Sequence, residues 1–353
     1  MGHEEDIVLN SIENNRKNRA PDIGGQAVLD GVMMKSPDAI AIAVRRENGD
    51  IVVKRQPYTS PSKKHAWMGK PIIRGAVNMG LMMKLGVGVL QDSADMSGAL
   101  ADEKPSKFEA WLSKKLGKGA DKVLMGLALV LALALSLGLF VLLPNIPTKA
   151  MRAAGWSHFS VNLASGLIRT VILIGYLYLT GLVPDMRRTF QYHGSEHKTV
   201  YAHEAGLPLT PENAQKFSTL HPRCGTSFLL LTFILSILFY SVFDELVLGL
   251  TGYDMAANYF VRILSRILLL PLMAGLGYEA LKALAHANNP LTRALRWPGM
   301  QLQRLTTKPP TDEMLEVAIA AMNAALEGLP EGAKTKEGYT LLPKAQPKEA
   351  VAV

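Results

Sequence analysis

The chain has 353 residues, 48% of them hydrophobic, and a formal net charge of +8 from 38 basic and 30 acidic side chains. Its apolar residues fall in blocks long enough to cross a bilayer, which argues against an ordinary soluble domain. The positive charge flanks those blocks, so it reads as membrane orientation and attraction to anionic lipid, and nucleic acid is excluded as a partner.

In chain order, residues 1–21 are polar and lack an apolar core, so no secretory signal is expected. Residues 22–122 read as a cytoplasmic region. Within it, residues 24–34 are a glycine-rich apolar loop. Such a loop either lets backbone approach a ligand or is an ordinary turn leading into a small sheet. Ile40, Ile42 and Val44 alternate with small residues, Glu47-Asn48-Gly49-Asp50 is a turn, and Ile51 and Val53 resume the alternation, which predicts a β-hairpin. Residues 72–90 are apolar but carry Arg74 and Lys84, with basic residues on both sides. An interfacial or re-entrant helix fits better than a span.

Four transmembrane helices are expected at residues 123–143, 161–183, 226–243 and 260–281. Lysines 104, 107, 114, 115, 118 and 122 precede the first. Arg187, Arg188, Lys198, Lys216 and Arg223 lie between the second and third, and Lys282, Arg293, Arg296, Arg304 and Lys308 follow the fourth. The other two connections are poor in positive charge. Positive-inside counting therefore puts both termini, and the loop 184–225, in the cytoplasm. Residues 282–331 hold a helix over 312–326 with helical spacing of Met314, Leu315, Ala318, Ile319, Met322 and Leu326, and residues 332–353 read as a disordered tail. The fold class is mostly α: a polytopic protein of the bacterial inner membrane with about four spans and a small cytoplasmic α+β region.

The loop 184–225 concentrates the chemistry. Four of the eight histidines (His193, His197, His203, His221) and the single cysteine, Cys224, lie there. One cysteine excludes an intrachain disulfide, and a cytoplasmic thiol stays reduced and free to act as a ligand. A helix over 193–205, closed by Gly206, would set His193, His197 and Glu204 within about 40° of one another, with Glu196 about 60° to the other side. Imidazoles at i, i+4 suit one divalent metal, zinc being the expected ion, and Glu204, His221 and Cys224 are further candidate ligands. A short helix starting at Thr210-Pro211-Glu212 would bring the last two back. His-x-x-Glu-His also matches the inverted zincin signature, with Glu196 as general base and Glu204, Glu279 or His221 as third ligand. The plain alternatives are specific. His and Glu at a bilayer surface can simply hydrogen-bond and anchor the loop. Cys224 can be a packing residue. Arg223 can contact a lipid phosphate.

Arg169, Arg262 and Arg266 fall inside spans, where each is costly without a partner. Asp244 and Glu245 are the available carboxylates. An ionic cluster is expected there, as glue among helices or as a lipid headgroup site.

At separated points the chain resembles the YqhQ-type bacterial membrane proteins. The resemblance rests on Gly24-Gly25-Gln26-Ala27-Val28-Leu29-Asp30-Gly31-Val32-Met33-Met34, Ile73-Arg74-Gly75, His193-Gly194-Ser195-Glu196-His197-Lys198-Thr199, Phe217-Ser218-Thr219-Leu220-His221-Pro222-Arg223-Cys224-Gly225-Thr226-Ser227-Phe228 and Leu302-Gln303-Arg304-Leu305-Thr306-Thr307, and covers about residues 22–326. Asp30 stands where the family is expected to have glutamate, a carboxylate of shorter reach. The family is commonly labelled metal-dependent enzymes, so the resemblance implies a metal-dependent activity without naming a substrate. Two functions follow. One is a hydrolase with a metal site at the bilayer surface. The other is a non-enzymatic scaffold that recruits a protein partner through its cytoplasmic region. Transport ranks third.

Overall fold

The computed structural model describes residues 23–98, 114–115, 120–255, 258–286, 289–329 and 331–342. The polar segment 1–21, most of the lysine-rich stretch before residue 120, and residues 343–353 lie outside them.

Residues 24–34 form a β-hairpin, not a loop. Strands β1 (Gly24–Val28) and β2 (Gly31–Lys35) are joined through Leu29 and Asp30, with Val28 opposite Gly31. Asp30 sits in the left-handed region (φ 50°), which its short polar side chain tolerates better than most. The expected hairpin follows as β3 (Ala39–Arg45) and β4 (Ile51–Pro57), turned at Gly49 with φ 84°. The tail also differs from expectation. Thr340–Leu342 is a strand, β5, that pairs with β4 and completes a five-stranded antiparallel sheet in the order β1-β2-β3-β4-β5.

Both faces of this sheet are covered, which is why β2 lacks the alternation that announces a half-exposed strand. Val32, Met33 and Met34 are all buried. On β3, Ala41 and Ala43 face one layer, and Ile40, Ile42 and Val44 face the other. The small side chains admit a helix at close range. That helix is itself alanine-rich, with Ala318, Ala321, Ala324 and Ala325 in the same core.

The helices are α1 (Ile73–Ser97), α2 (Ala120–Leu137), α3 (Leu143–Ala153), α4 (His158–Thr180), α5 (Pro184–Glu204), α6 (Pro211–Gln215), α7 (Gly225–Thr251), α8 (Tyr259–His286), α9 (Pro290–Thr306) and α10 (Asp312–Leu326). Helices α5 and α10 cover one face of the sheet, and the C-terminal half of α1, through Leu85, Val89 and Met96, covers the other. A widened π-helical turn, Gly138–Leu142, joins α2 to α3. Pro144 follows it, and its missing N–H and ring displace the regular ladder there.

Among the described residues, five helices are long and apolar enough to cross a membrane: Ile73–Ser97, Gly126–Ala153, Phe159–Thr180, Gly225–Thr251 and Phe260–Leu284. Helix α7 packs between α4 and α8. The start of α1 crosses α8 so closely that a Cβ on Gly75 would stand 2.8 Å from the Cα of Gly275. Arg74 donates there to both carboxylate oxygens of Glu279, with Nε to Oε1 at 2.6 Å.

Candidate metal centre

Three chain segments converge on one side of α5. The helix starts at Pro184, nine residues before the expected start, with proline at its first position. It ends before Gly206, whose φ of 67° breaks it. His193 and His197 therefore stand one turn apart in mid-helix.

The second segment is the loop from α6 to α7, folded back over α5. Thr210 caps α6 by accepting from the backbone N–H of Asn213. Buried Lys198 donates to the carbonyls of Gln215, at 2.8 Å, and Phe217. Tyr201 stacks on Phe217 and donates its hydroxyl to the Leu220 carbonyl at 2.9 Å. Gln303 of α9, fully buried, accepts from His221 N–H and donates to His221 O, each at 2.8 Å, and to Ser227 Oγ at 2.7 Å. So held, the loop delivers Cys224 as the N-cap of α7, its Sγ 3.3 Å from His193 Nε2.

The third segment follows α9. Lys308 N–H donates to Phe190 O at 2.9 Å, and this backbone runs across α5 at Gly194, where a Cβ would stand 2.1 Å from Lys308 O. Only glycine permits that crossing.

The crossing brings the Thr306 carbonyl to 2.9 Å from His193 Nδ1, while the Thr219 carbonyl takes His197 Nδ1 at 2.5 Å. A carbonyl oxygen can only accept, so each Nδ1 carries a proton and each Nε2 is left as the ligating nitrogen. This is the outer-shell arrangement that orients metal-binding imidazoles. Ligand atoms of His193, His197 and Cys224 lie within 4.8 Å of one another. Tetrahedral zinc, with bonds of about 2.0–2.3 Å, spaces its donors by about 3.5 Å, which the His193–Cys224 pair already approaches.

The electrostatics are those of a thiolate–imidazolium pair, and a bound cation would displace the Nε2 proton of His193. Burial opposes charge on His193, but the hydrogen bond and charge of Cys224, with Glu196 and the Thr306 carbonyl, push its pKa up to about 9. Burial likewise opposes a Cys224 thiolate, yet His197 and His193 hold the thiol well below its usual range. Thiolate is the ligand form of cysteine. Glu196 is buried beside the trio, and burial pushes its carboxyl up against the opposing pull of His197 and His193. A Cβ on Gly25 would stand 2.7 Å from Glu196 Cγ, so β1 lies directly on this carboxylate.

The expected ligand set divides. Glu204 pairs with Arg223 and stands 3.7 Å from His221 Nε2, and His221 Nδ1 accepts the Arg223 N–H at 3.3 Å. Glu204 shares a face with His197 but lies seven residues on, about 10 Å along the axis, which takes it out of the trio. His221 lies beside His197, ring centroids 5.6 Å apart, and turns toward Glu204. Arg223 is paired with that carboxylate. Glu279 belongs to the α1–α8 contact with Arg74, so it is not a third ligand here. Arg262 and Arg266 lie in the first turns of α8, toward the other end of the bundle, and Arg169 lies midway along α4. Gln303, Lys198, Gly194, Gly25 and the carbonyls of Thr219 and Thr306 were not foreseen. The one available signal was Gln303 and Thr306, polar residues three apart beside Leu302 on an otherwise amphipathic helix.

An apolar bundle joined to a small sheet through a His–His–Cys cluster defines the class. The chain belongs to the family described as "Protein of unknown function (DUF1385)", whose model matches residues 70–328 and so contains the whole cluster except Gly25. It is 32% identical over 313 residues to the "Uncharacterized protein YqhQ" of Bacillus subtilis (strain 168), covering 87% of this chain and 92% of that one. Neither description assigns an activity. No solved structure matches.

Proposed function

We propose that this protein is a multi-pass membrane hydrolase whose metal site, His193, His197 and Cys224, lies at the bilayer surface with Glu196 as its base. The observation carrying this reading is the convergence of three donors, two of them imidazoles whose Nδ1 atoms are fixed by backbone carbonyls, with a buried carboxylate alongside. Three protein ligands with a fourth position open is the pattern of catalytic zinc sites. A zinc-class ion held there supplies Lewis acidity toward water. Glu196, in the apolar shelter of β1, takes a proton from the attacking water and returns it to the leaving group. Four helices span, with the sheet on the cytoplasmic side by charge. Helix α2 supports this: its Leu127, Leu129, Val130, Leu131, Leu133 and Leu135 are all exposed, which suits lipid and not water. Helix α1 lies at the interface, because its second half is occupied by the sheet core.

The test is metal content of detergent-purified protein by plasma mass spectrometry, beside His193→Ala/His197→Ala. About one zinc-class ion per chain is expected in the parent, and almost none in the variant with helical content kept. Bound metal should also protect Cys224 from iodoacetamide. No metal after chelator-free purification and zinc reconstitution would overturn the reading. A second reading takes Cys224 as a thiolate nucleophile paired with His193, favoured by their 3.3 Å contact at a helix N-terminus. It expects chelator-resistant activity. Should Glu196→Gln and Cys224→Ala both leave cell physiology unchanged, the scaffold with a protein partner is the better account.

A further inference from the structure

At the opposite end of α7, a second buried polar group is left incompletely satisfied. Asp244 lies twenty residues beyond Cys224, about 30 Å along the helix. Its Oδ2 accepts from Arg266 at 2.6 Å and from Asn162 Nδ2 at 2.9 Å. Its Oδ1 is buried with no hydrogen-bond partner among the described residues, and the residue as a whole is 4% exposed. Asn162 turns its own oxygen to Arg262, whose NH2 donates to it at 2.6 Å. Among the described residues Arg262 has no carboxylate partner, whereas Arg266 is paired with Asp244 and stacked over Tyr240 at 4.1 Å. Arg152, Arg266 and Arg169 put three like charges within electrostatic range of Arg262, and Asp244 puts one opposite charge there.

The site thus has a guanidinium with no carboxylate in contact and, across one amide, a buried carboxylate oxygen lacking a donor. A simple anion would answer Arg262 and be repelled by Oδ1. A water or cation would answer Oδ1 and leave Arg262 unneutralised. We infer that this end of the bundle binds a zwitterionic phosphoethanolamine headgroup, its phosphate on Arg262 and its ammonium on Asp244 Oδ1. Charge-assisted bonds form at both ends. A choline headgroup has no N–H to give and an anionic glycerol headgroup has no ammonium, so both are discriminated against. The depth fits: Asn162 and Arg262 lie about one turn from the starts of α4 and α8, within reach of lipid phosphates. This inference uses the membrane placement proposed above and is independent of the metal reading.

The test is native mass spectrometry of the full chain in mild detergent, exchanged against dioleoyl phosphatidylethanolamine, phosphatidylglycerol or phosphatidylcholine. Parent protein is expected to retain the ethanolamine lipid about tenfold over the choline lipid. Arg262→Gln should lose that retention and Arg262→Lys should keep part of it. Asp244→Asn should still hold phosphate lipids but no longer prefer ethanolamine over glycerol. Soluble O-phosphoethanolamine should compete and inorganic phosphate should not. Circular dichroism and elution volume control for folding. Equal retention of the three lipids, an Arg262→Gln profile like the parent's, or equal competition by inorganic phosphate would overturn the proposal. Carbonate extraction separates the causes: a chain stripped from membranes overturns the membrane placement and this site together. A chain that stays in the membrane and retains the three lipids equally overturns this site alone.

Discussion

The two ends of α7 solve the same problem in opposite ways. At its start, His193 and His197 have their outward Nδ1 atoms satisfied by fixed backbone carbonyls, so their Nε2 lone pairs converge with the Cys224 sulfur. Near its far end, Asp244, Asn162, Arg262 and Arg266 satisfy one another through side chains that leave charges of both signs unfinished. Backbone support gives a rigid ligand set, as a metal of fixed bond length demands. Side-chain support gives an adaptable pocket, suited to a flexible headgroup.

The comparison can be broken from either end. The largest effect is expected for Asp244→Ala. It strands Arg266 in an apolar bundle and should lower stability by about 3–5 kcal/mol, read as the melting temperature in detergent. Metal content of the folded fraction should not change, because the clusters share only a helix. Next comes Gly194→Val, which drives the Lys308 backbone off α5 and removes the Thr306 carbonyl from His193. Overpacking should cost about 1–3 kcal/mol. Loss of the orienting bond should weaken zinc affinity about 10–100-fold, measured by chelator competition. Gln303→Leu leaves the His221 N–H buried without a partner, while its carbonyl keeps the Cys224 N–H at 3.2 Å, and should cost about 1–3 kcal/mol by the same melting assay. A parent-like melting point would show that the loop is held by Lys198 and Tyr201 alone. The smallest effect is expected for Lys54→Gln. It breaks a 2.7 Å pair with Asp92 between β4 and α1, but both side chains are about a third exposed, so the loss should stay below about 1 kcal/mol.

Much of this architecture is legible in the residues themselves. Unbroken apolar runs announce the long helices, and Asn48-Gly49 between alternating strands announces β3–β4. Histidines four apart on a helix announce a shared face. The first strand pair leaves no signal because β2, covered on both sides, has no alternation to read, and β5 leaves none because three residues are too few to show a pattern. A helical wheel sets Glu204 with the histidines because it records angle and discards rise along the axis. Depth alone suggests Glu279 for the cluster, while its partner, Arg74, sits on a helix 205 residues away in sequence.

What the sequence determined by itself is which segments are helical and apolar, that imidazole, thiolate and carboxylate are concentrated in one loop, and that arginines recur inside apolar helices. Local periodicity and composition suffice for these, since they depend on neighbours within a few turns. Tertiary structure alone decided which donors meet. Cys224 reaches His193 only because Lys198, Tyr201 and Gln303 fold the loop back. The histidine tautomers are fixed by carbonyls of Thr219 and Thr306, and a backbone carbonyl is carried by every residue type, so no side-chain pattern marks it. Close approach at Gly194 and at Gly25 likewise depends on distant backbone, because a hydrogen bond is specified by distance and angle and not by chain order.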